Sequence, residues 1–154
     1  MLVHAFNWKK MSVAAALAFR WDGKRSRLLF RMKPDSYNTE SLIDFLQDLR
    51  RDLRGKKCIL IWDGLAAHKS KDMKTYLARQ TSWLTVAQLP GYAPDLNPVE
   101  SLWGNVKRLE LANRCAVGLG ESCRAVCRGM ARVRRRKILP FAILKHAGLS
   151  FLTK

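Results

Sequence analysis

The chain has 154 residues, of which 48% are hydrophobic, so it can form one domain with a buried core and is too apolar to be a disordered polypeptide. Its 29 Lys and Arg residues outnumber its 12 Asp and Glu residues and give a formal net charge of +17. This charge predicts a polyanionic partner, with nucleic acid as the first choice and an anionic membrane surface as the alternative. The sequence has no apolar run near the ~20 residues that a membrane-spanning helix requires.

The first predicted elements are a β-hairpin and a helix. Residues 11–19 read as a strand, and the Asp-Gly reversal at Asp22 predicts that residues 27–32 return antiparallel to it. Asn38 or Thr39 then caps a helix whose apolar residues recur at helical spacing. Lysines before an apolar run in the first strand also imitate a secretory signal peptide, but the Trp and Arg residues around that run argue against export.

The next elements alternate strand and helix. Residues 58–62 form a continuous apolar run, which predicts a strand buried on both faces that ends at Asp63. A helix over residues 70–79 and a strand over residues 83–88 follow. The order of elements therefore predicts an α/β fold.

A helix start follows the last of these strands and introduces a second acid. Asn97 can cap free backbone N–H groups, and Pro98 occupies the first helical position, so Glu100 stands in the first turn. An acid at the carboxyl end of a strand, close to an acid on a neighbouring helix, is a common arrangement of ligands for hard cations in α/β folds. We therefore expect Asp63 and Glu100 to converge and to share a divalent ion. Taken singly, Asp63 could cap its loop and Glu100 could complement the helix dipole. Asp95 is the nearest rival acid for the role of metal ligand.

Three segments resemble a known family: FNWKKMSVAAALAF, IWDGLAAHKS and LPGYAPDLNPVESLWGNVKR. The second and third segments are similar to the second and third catalytic blocks of DDE transposases of the mariner-like and bacterial insertion-sequence branch. The first segment is similar to the stretch that precedes and forms the second strand of the same core, and the resemblance covers about residues 4–112. The resemblance implies an RNase H-like mixed sheet with flanking helices, Mg²⁺ or Mn²⁺ as cofactor, and DNA cleavage and strand transfer between transposon ends and target DNA. It makes Asp63 the second and Glu100 the third of three metal-binding acids, with His68 and Asn97 near the site.

One departure from the family pattern concerns the first acid. The family carries its first Asp on a strand upstream of the FNWKK stretch, whereas no acid precedes Asp22 here. The resemblance therefore predicts a core that lacks its first, central strand and is inactive alone. The chain is then expected to be either a truncated gene product or one half of a split transposase, in which a separately encoded N-terminal transposase segment carries the first Asp. A homo-oligomer is expected in the active complex. The alternatives are a non-catalytic basic DNA-binding remnant and an RNA- or ribosome-associated protein.

The cations of the second half are candidate DNA contacts. Residues 122–137 contain seven cations and no acid at helical spacing, which predicts a basic helix, with a merely solvated face as the alternative. The predicted DNA-binding residues are Lys107, Arg108, Arg124, Arg128, Arg132 and Arg135. Residues 1–114 are assigned to a partial catalytic core, and residues 115–154 to a basic helical extension whose end packs back on the core. The expected location is the bacterial cytoplasm, in association with the nucleoid.

Overall fold

The structure, a computed structural model, describes residues 10–91, 94–112 and 118–151. Its elements are, in chain order, β1 (Met11–Phe19), β2 (Ser26–Pro34), α1 (Thr39–Asp52), β3 (Cys58–Trp62), α2 (Lys71–Ala78), β4 (Leu84–Gln88), α3 (Pro98–Val106), α4 (Leu119–Arg135) and α5 (Leu139–His146). Short 3₁₀ turns at Ala66–Lys69 and Pro94–Leu96 precede α2 and α3, and a π-helical turn, Lys107–Leu111, extends α3. The predicted α/β order of elements is confirmed in this part of the chain.

The first two strands form the predicted hairpin. They pair antiparallel, starting with Met11 opposite Pro34. The side chain of Asp22 closes the turn by accepting a hydrogen bond of 3.0 Å from the N–H of Lys24. Gly23 adopts a φ of 67°, which glycine reaches without the steric cost that a Cβ would bring. The Asp-Gly pair therefore fixes the reversal locally.

Within the described residues, the hairpin has no neighbouring strand along β1 or along β2. The N–H of Arg20 donates to the carbonyl of Arg25 at 2.8 Å, and antiparallel strands alternate bonded and non-bonded pairs. The main-chain groups of Val13, Ala15 and Leu17 therefore point away from β2. All nine residues of β1 are only partly buried, as expected for a strand with a neighbour on one side.

The other two strands form a second, parallel sheet, and no hydrogen bonds join it to the hairpin in the described residues. The N–H of Cys58 donates to the carbonyl of Trp83 at 2.7 Å, so alternate residues of β3 bond towards β4. The main-chain groups of Ile59 and Ile61 consequently lie on an open edge. Within the described residues, the hairpin and β3 therefore do not pair directly.

Two apolar clusters join these sheets to the helices. The first joins β2, α3, α4 and α5 and consists of Leu28, Leu102, Val106, Met130, Val133 and Ile143. The second lies between α1 and α2 and consists of Leu46, Leu49 and Met73, with Leu60 and Trp62 of β3 against it. Val13 of β1 contacts the first cluster and Ala16 contacts the second. The hairpin therefore separates the two helical layers.

The expectation that β3 is buried on both faces was wrong. Ile59 is 70% exposed and Ile61 is 60% exposed, whereas Leu60 and Trp62 pack on the second cluster. Side chains alternate between the two faces of a strand, and α1 and α2 cover only one face of β3. An apolar run of five residues therefore produced a strand with one covered face.

The C-terminal helices belong to the first cluster. Met130 and Val133 of α4 are completely buried, and Ile143 of α5 is 4% exposed, so the predicted packing of this region on the core is confirmed for the described residues. The boundary proposed between residues 114 and 115 lies outside the described ranges. None of the described helices combines the length and apolar character needed to cross a membrane.

Candidate active site and nucleic-acid interface

Asp63 follows the last residue of β3, at the carboxyl edge of the parallel sheet. Its Oδ1 accepts a hydrogen bond of 3.2 Å from the N–H of Leu65, which steadies the turn that leaves the strand. Oδ1 also lies 3.1 Å from Nδ1 of His68. The second carboxylate oxygen, Oδ2, makes no hydrogen bond within the described part of the chain, so it is available to a ligand.

His68 is fixed by contacts on two sides. Its Nδ1 also lies 3.1 Å from the main-chain oxygen of Asp63, and its ring stacks on Trp62 with centroids 4.1 Å apart and planes 4° apart. Both partners of Nδ1 are acceptors, so this nitrogen carries a proton and donates. The side chain is only 10% exposed. His68, predicted to lie near the site, thus orients the carboxylate of Asp63.

Space beside Asp63 is limited by two polar side chains. A Cβ on Gly64 would lie 3.2 Å from Nε2 of Gln88 and 3.2 Å from Nζ of Lys69. Gln88 is the last residue of β4 and pairs in register with Trp62. The carboxyl ends of both parallel strands therefore meet beside Asp63, and the loop that leads to α3 starts at this edge.

Glu100 stands in the first turn of α3, as predicted. The side chain of Asn97 accepts a hydrogen bond of 3.1 Å from the N–H of Val99, and Pro98 is the first helical residue. Glu100 is exposed, and its N–H donates to the carbonyl of Asn97 at 3.0 Å. The helix dipole favours an acid at this position, and the cap determines where the acid projects.

A cavity of about 450 Å³ lies beside Glu100, and the described residues that line it are Asp95, Glu100, Ser101 and His146. The sequence indicates Asp95 only as the nearest rival acid, and it assigns no role at the site to His146. The sequence contains no signal for His146, because 45 residues separate it from Glu100 and the packing of α5 on α3 brings it there. Asp63 is not among the described residues of this lining.

The two predicted metal ligands have suitable chemistry, since hard divalent ions prefer carboxylate oxygens. Asp63 offers a free Oδ2, and Glu100 offers an exposed carboxylate. Among the described residues, however, no three His, Cys, Asp or Glu side chains gather as a candidate metal site. The residues therefore fit part of a divalent-metal site, and the convergence of Asp63 with Glu100 stays a prediction.

The predicted DNA-binding cations differ in their surroundings. Lys107 and Arg108 are exposed on the π-helical turn that continues α3. Arg132 instead donates from Nε to Oε1 of Glu110 at 3.1 Å and from Nη2 to Oδ1 of Asn105 at 2.9 Å. Its side chain is 21% exposed. Arg132 thus joins α4 to α3 within the chain.

The remaining predicted cations of α4 form a line. At 100° per residue, Arg124, Arg128 and Arg135 fall within an arc of about 40° on the exposed side of the helix. All three are exposed, and no acid pairs with them in the described residues. They extend over about 16 Å at 1.5 Å per residue. We call these three residues the arginine stripe.

Comparison with known proteins identifies the family. A family described as DDE superfamily endonuclease matches residues 7–116, more than two thirds of the chain, and this range contains both Asp63 and Glu100. The comparison with curated proteins found no match. Membership implies a DNA substrate, and endonucleases of this superfamily generally use divalent metal ions. The chain belongs to the DDE superfamily endonucleases.

Proposed function

We propose that this chain is the catalytic-core part of a DDE transposase, which cleaves DNA at transposon ends and joins them to target DNA. The observation that carries the proposal is the placement of Asp63 at the carboxyl edge of β3, with one oxygen held by His68 and Leu65 and the other free. The neighbouring strand β4 ends at the same edge of the parallel sheet. The loop that follows it leads to α3, the helix that carries Glu100.

In this proposal Asp63 and Glu100 hold Mg²⁺ or Mn²⁺. Bound in pairs about 3.5 to 4 Å apart, such ions stabilise the attacking and leaving oxygens of a phosphodiester displacement. His68 keeps Asp63 oriented and leaves Oδ2 available to an ion, and the Asn97 cap keeps Glu100 in the first turn of α3. A carboxylate locked by hydrogen bonds needs less reorganisation when it binds an ion, which raises its affinity.

The arginine stripe is the proposed duplex-binding surface, together with Lys107 and Arg108. Lys107 and Arg108 continue the helix that carries Glu100, so phosphates bound there would lie close to the reacting bond. If about six phosphates are neutralised, affinity should fall on the order of a thousandfold between 50 and 200 mM salt. Sequence-tolerant binding of this kind also fits association with the bacterial nucleoid.

The open sheet edges support a further element of the proposal, a strand supplied by another polypeptide. In the fold that the resemblance implies, the first strand is central and presents the first acid beside the second. Among the described residues, β1 and β3 each have main-chain groups without a strand partner, and Ile59 and Ile61 expose apolar side chains beside the unpaired edge of β3. In this proposal a separately encoded N-terminal transposase segment pairs with both edges and brings the first Asp of the family. Two or more copies of the chain would then hold the transposon ends together.

A non-catalytic DNA-binding protein is the second candidate. It is favoured by one observation, that the described residues do not assemble three potential metal ligands. In that case the charge of +17 binds duplex DNA, and Asp63 and Glu100 do no chemistry.

Nicking of a supercoiled plasmid with Mg²⁺ or Mn²⁺ separates these candidates. The chain is tested alone and with the polypeptide encoded immediately upstream, and we expect cleavage only for the mixture. Asp63→Asn and Glu100→Gln should abolish cleavage. Asp95→Asn, which changes the other acid of the cavity beside Glu100, should retain it. Mn²⁺ binding measured by calorimetry gives a readout that does not require turnover, and Asp63→Asn should weaken it.

The possible outcomes have different meanings. Cleavage by the chain alone that depends on Asp63 would refute the requirement for a second polypeptide and retain the nuclease assignment. An absence of cleavage in every mixture, with salt-dependent DNA binding intact, would support the non-catalytic candidate.

A further inference from the structure

The tip of the β1–β2 hairpin carries a large aromatic side chain that the fold does not use. Trp21 is 85% exposed. An aromatic cluster lies next to it, in which the ring of Phe19 is 5.3 Å from that of Phe141 and 5.8 Å from that of Phe151. Trp21 takes no part in this cluster, so its exposure does not reflect a lack of apolar neighbours.

The tip is held in place by its own hydrogen bonds and by the C-terminal residues. The N–H of Gly23 donates to the carbonyl of Arg20 at 2.9 Å, and a Cβ on Gly23 would lie 3.3 Å from Phe151. Asp22 receives Lys24 N–H on one oxygen and pairs with Nε of Arg20 at 3.1 Å through the other. Trp21 is therefore presented on a supported turn.

The electrostatic surroundings of Trp21 are strongly basic. Residues 20–27 contain four cations and one acid, and that acid, Asp22, is already paired with Arg20. Lys24 and Arg25 are exposed, and neither has an acidic partner within the described ranges. An exposed indole flanked by unpaired cations is the combination that binds single-stranded nucleic acid, in which cations follow the phosphates and bases stack on the aromatic ring.

The tip also lies at the same end of the molecule as the C-terminus of α4. Nε of Arg134 donates to the carbonyl of Leu28 at 3.1 Å, and its guanidinium lies 5.0 Å over the ring of Phe30. Leu28 is three residues from Arg25, so the tip extends about 10 Å beyond this contact. The exposed residues 135–137, which include the last arginine of the stripe, follow directly.

We propose that the hairpin tip is a second DNA-binding site, at which Trp21 stacks on an unpaired base next to a duplex held by the arginine stripe. Lys24 and Arg25 bind the phosphates on either side of that base. The inference rests on the proposed function only in taking DNA as the partner, and it does not involve Asp63 or Glu100.

Two labelled duplexes of about 20 base pairs test the proposal by fluorescence anisotropy, one with blunt ends and one with a single-stranded 3′ extension of about six thymines. The chain should bind the extended duplex more tightly. Trp21→Ala should weaken binding to the extended duplex by about 5- to 100-fold, the range expected for one stacked base, and leave the blunt duplex within about twofold. Trp21→Phe should retain most of the preference, whereas Trp21→Leu, which keeps apolar area without an aromatic face, should lose it.

Two further measurements complete the test. A 2-aminopurine in the extension should be quenched on binding the wild-type chain and not on binding Trp21→Leu. The double change Lys24→Gln and Arg25→Gln should lower the salt slope on the extended duplex by up to about two units. Because all three side chains are exposed, we expect unfolding curves to stay unchanged.

Three results would overturn the proposal: equal wild-type affinity for the two duplexes, an equal loss on both in Trp21→Ala, or a dependence on Trp21 seen only with anionic phospholipid vesicles. The assay needs no metal ion and no cleavage, so its readout does not depend on the acids of the proposed active site. If the nuclease proposal fails, the binding measurements on Trp21 can therefore still be interpreted. If the proposal for the hairpin tip fails, the nuclease proposal is unaffected.

Discussion

The replacement of Gly129 by alanine would test how closely α4 must approach the helix that carries Glu100. A Cβ at Gly129 would lie 2.8 Å from Cγ of Glu110 and 2.9 Å from Cγ1 of Val106. Carbon atoms do not approach so closely without displacement. Val106 is 2% exposed and belongs to the first apolar cluster, so it has little room to move. The two helices would have to separate.

The expected magnitude is the balance of two opposing effects. Overpacking of a buried contact costs about 1–3 kcal/mol. Alanine is favoured over glycine by about 1 kcal/mol inside a helix. Gly104 in α3 provides the matched control, because a Cβ there meets nothing within 4 Å. Gly104→Ala should therefore stabilise the chain by up to about 1 kcal/mol, and Gly129→Ala should be less stable than Gly104→Ala by about 1–3 kcal/mol.

Urea unfolding followed by circular dichroism measures this difference. If the slope of the transition is unchanged, the shift of the midpoint reports stability alone. We expect the midpoint to rise in Gly104→Ala and to fall, or at most stay level, in Gly129→Ala. Equal stabilisation by both changes would show that the close approach at Gly129 does not constrain the packing of α3 on α4.

Two further predictions concern α4 and β3. Arg132→Ala should lower the free energy of unfolding by about 1–3 kcal/mol, because it leaves the partly buried carboxylate of Glu110 without its partner. Arg128→Ala should change stability by less than about 0.5 kcal/mol and weaken DNA binding. A larger loss of stability in Arg128→Ala than in Arg132→Ala would contradict the roles assigned to these two residues. Burial raises the pKa of the Cys58 thiol, so at pH 8 iodoacetamide should alkylate Cys58 more slowly than the exposed Cys127, as followed by mass spectrometry, and equal rates would contradict this.

Local chemistry was sufficient to predict the hairpin, the elements from α1 to α3 and the caps of α1 and α3, whereas α5 was not predicted as a helix. The Asp-Gly pair at Asp22 specified the hairpin turn, because glycine supplies the positive φ and the carboxylate bonds the next N–H group. Asn97 and Pro98 specified the start of α3, because capping requires only residues adjacent in sequence. The segment that contains Asn97 and Pro98 also carries the resemblance to DDE transposases, which marks Glu100 as a candidate metal ligand.

The tertiary structure decided which of these residues are free to act. Arg128 and Arg132 are one helical turn apart and look equivalent in sequence, yet only Arg132 faces Glu110 across the contact of α4 with α3. Ile59 and Leu60 are neighbours in one apolar run, yet helices cover only the face that carries Leu60. A periodic pattern tells which residues share a face, but not whether another element lies against that face. That depends on contacts between residues far apart in the chain, which the local pattern does not encode.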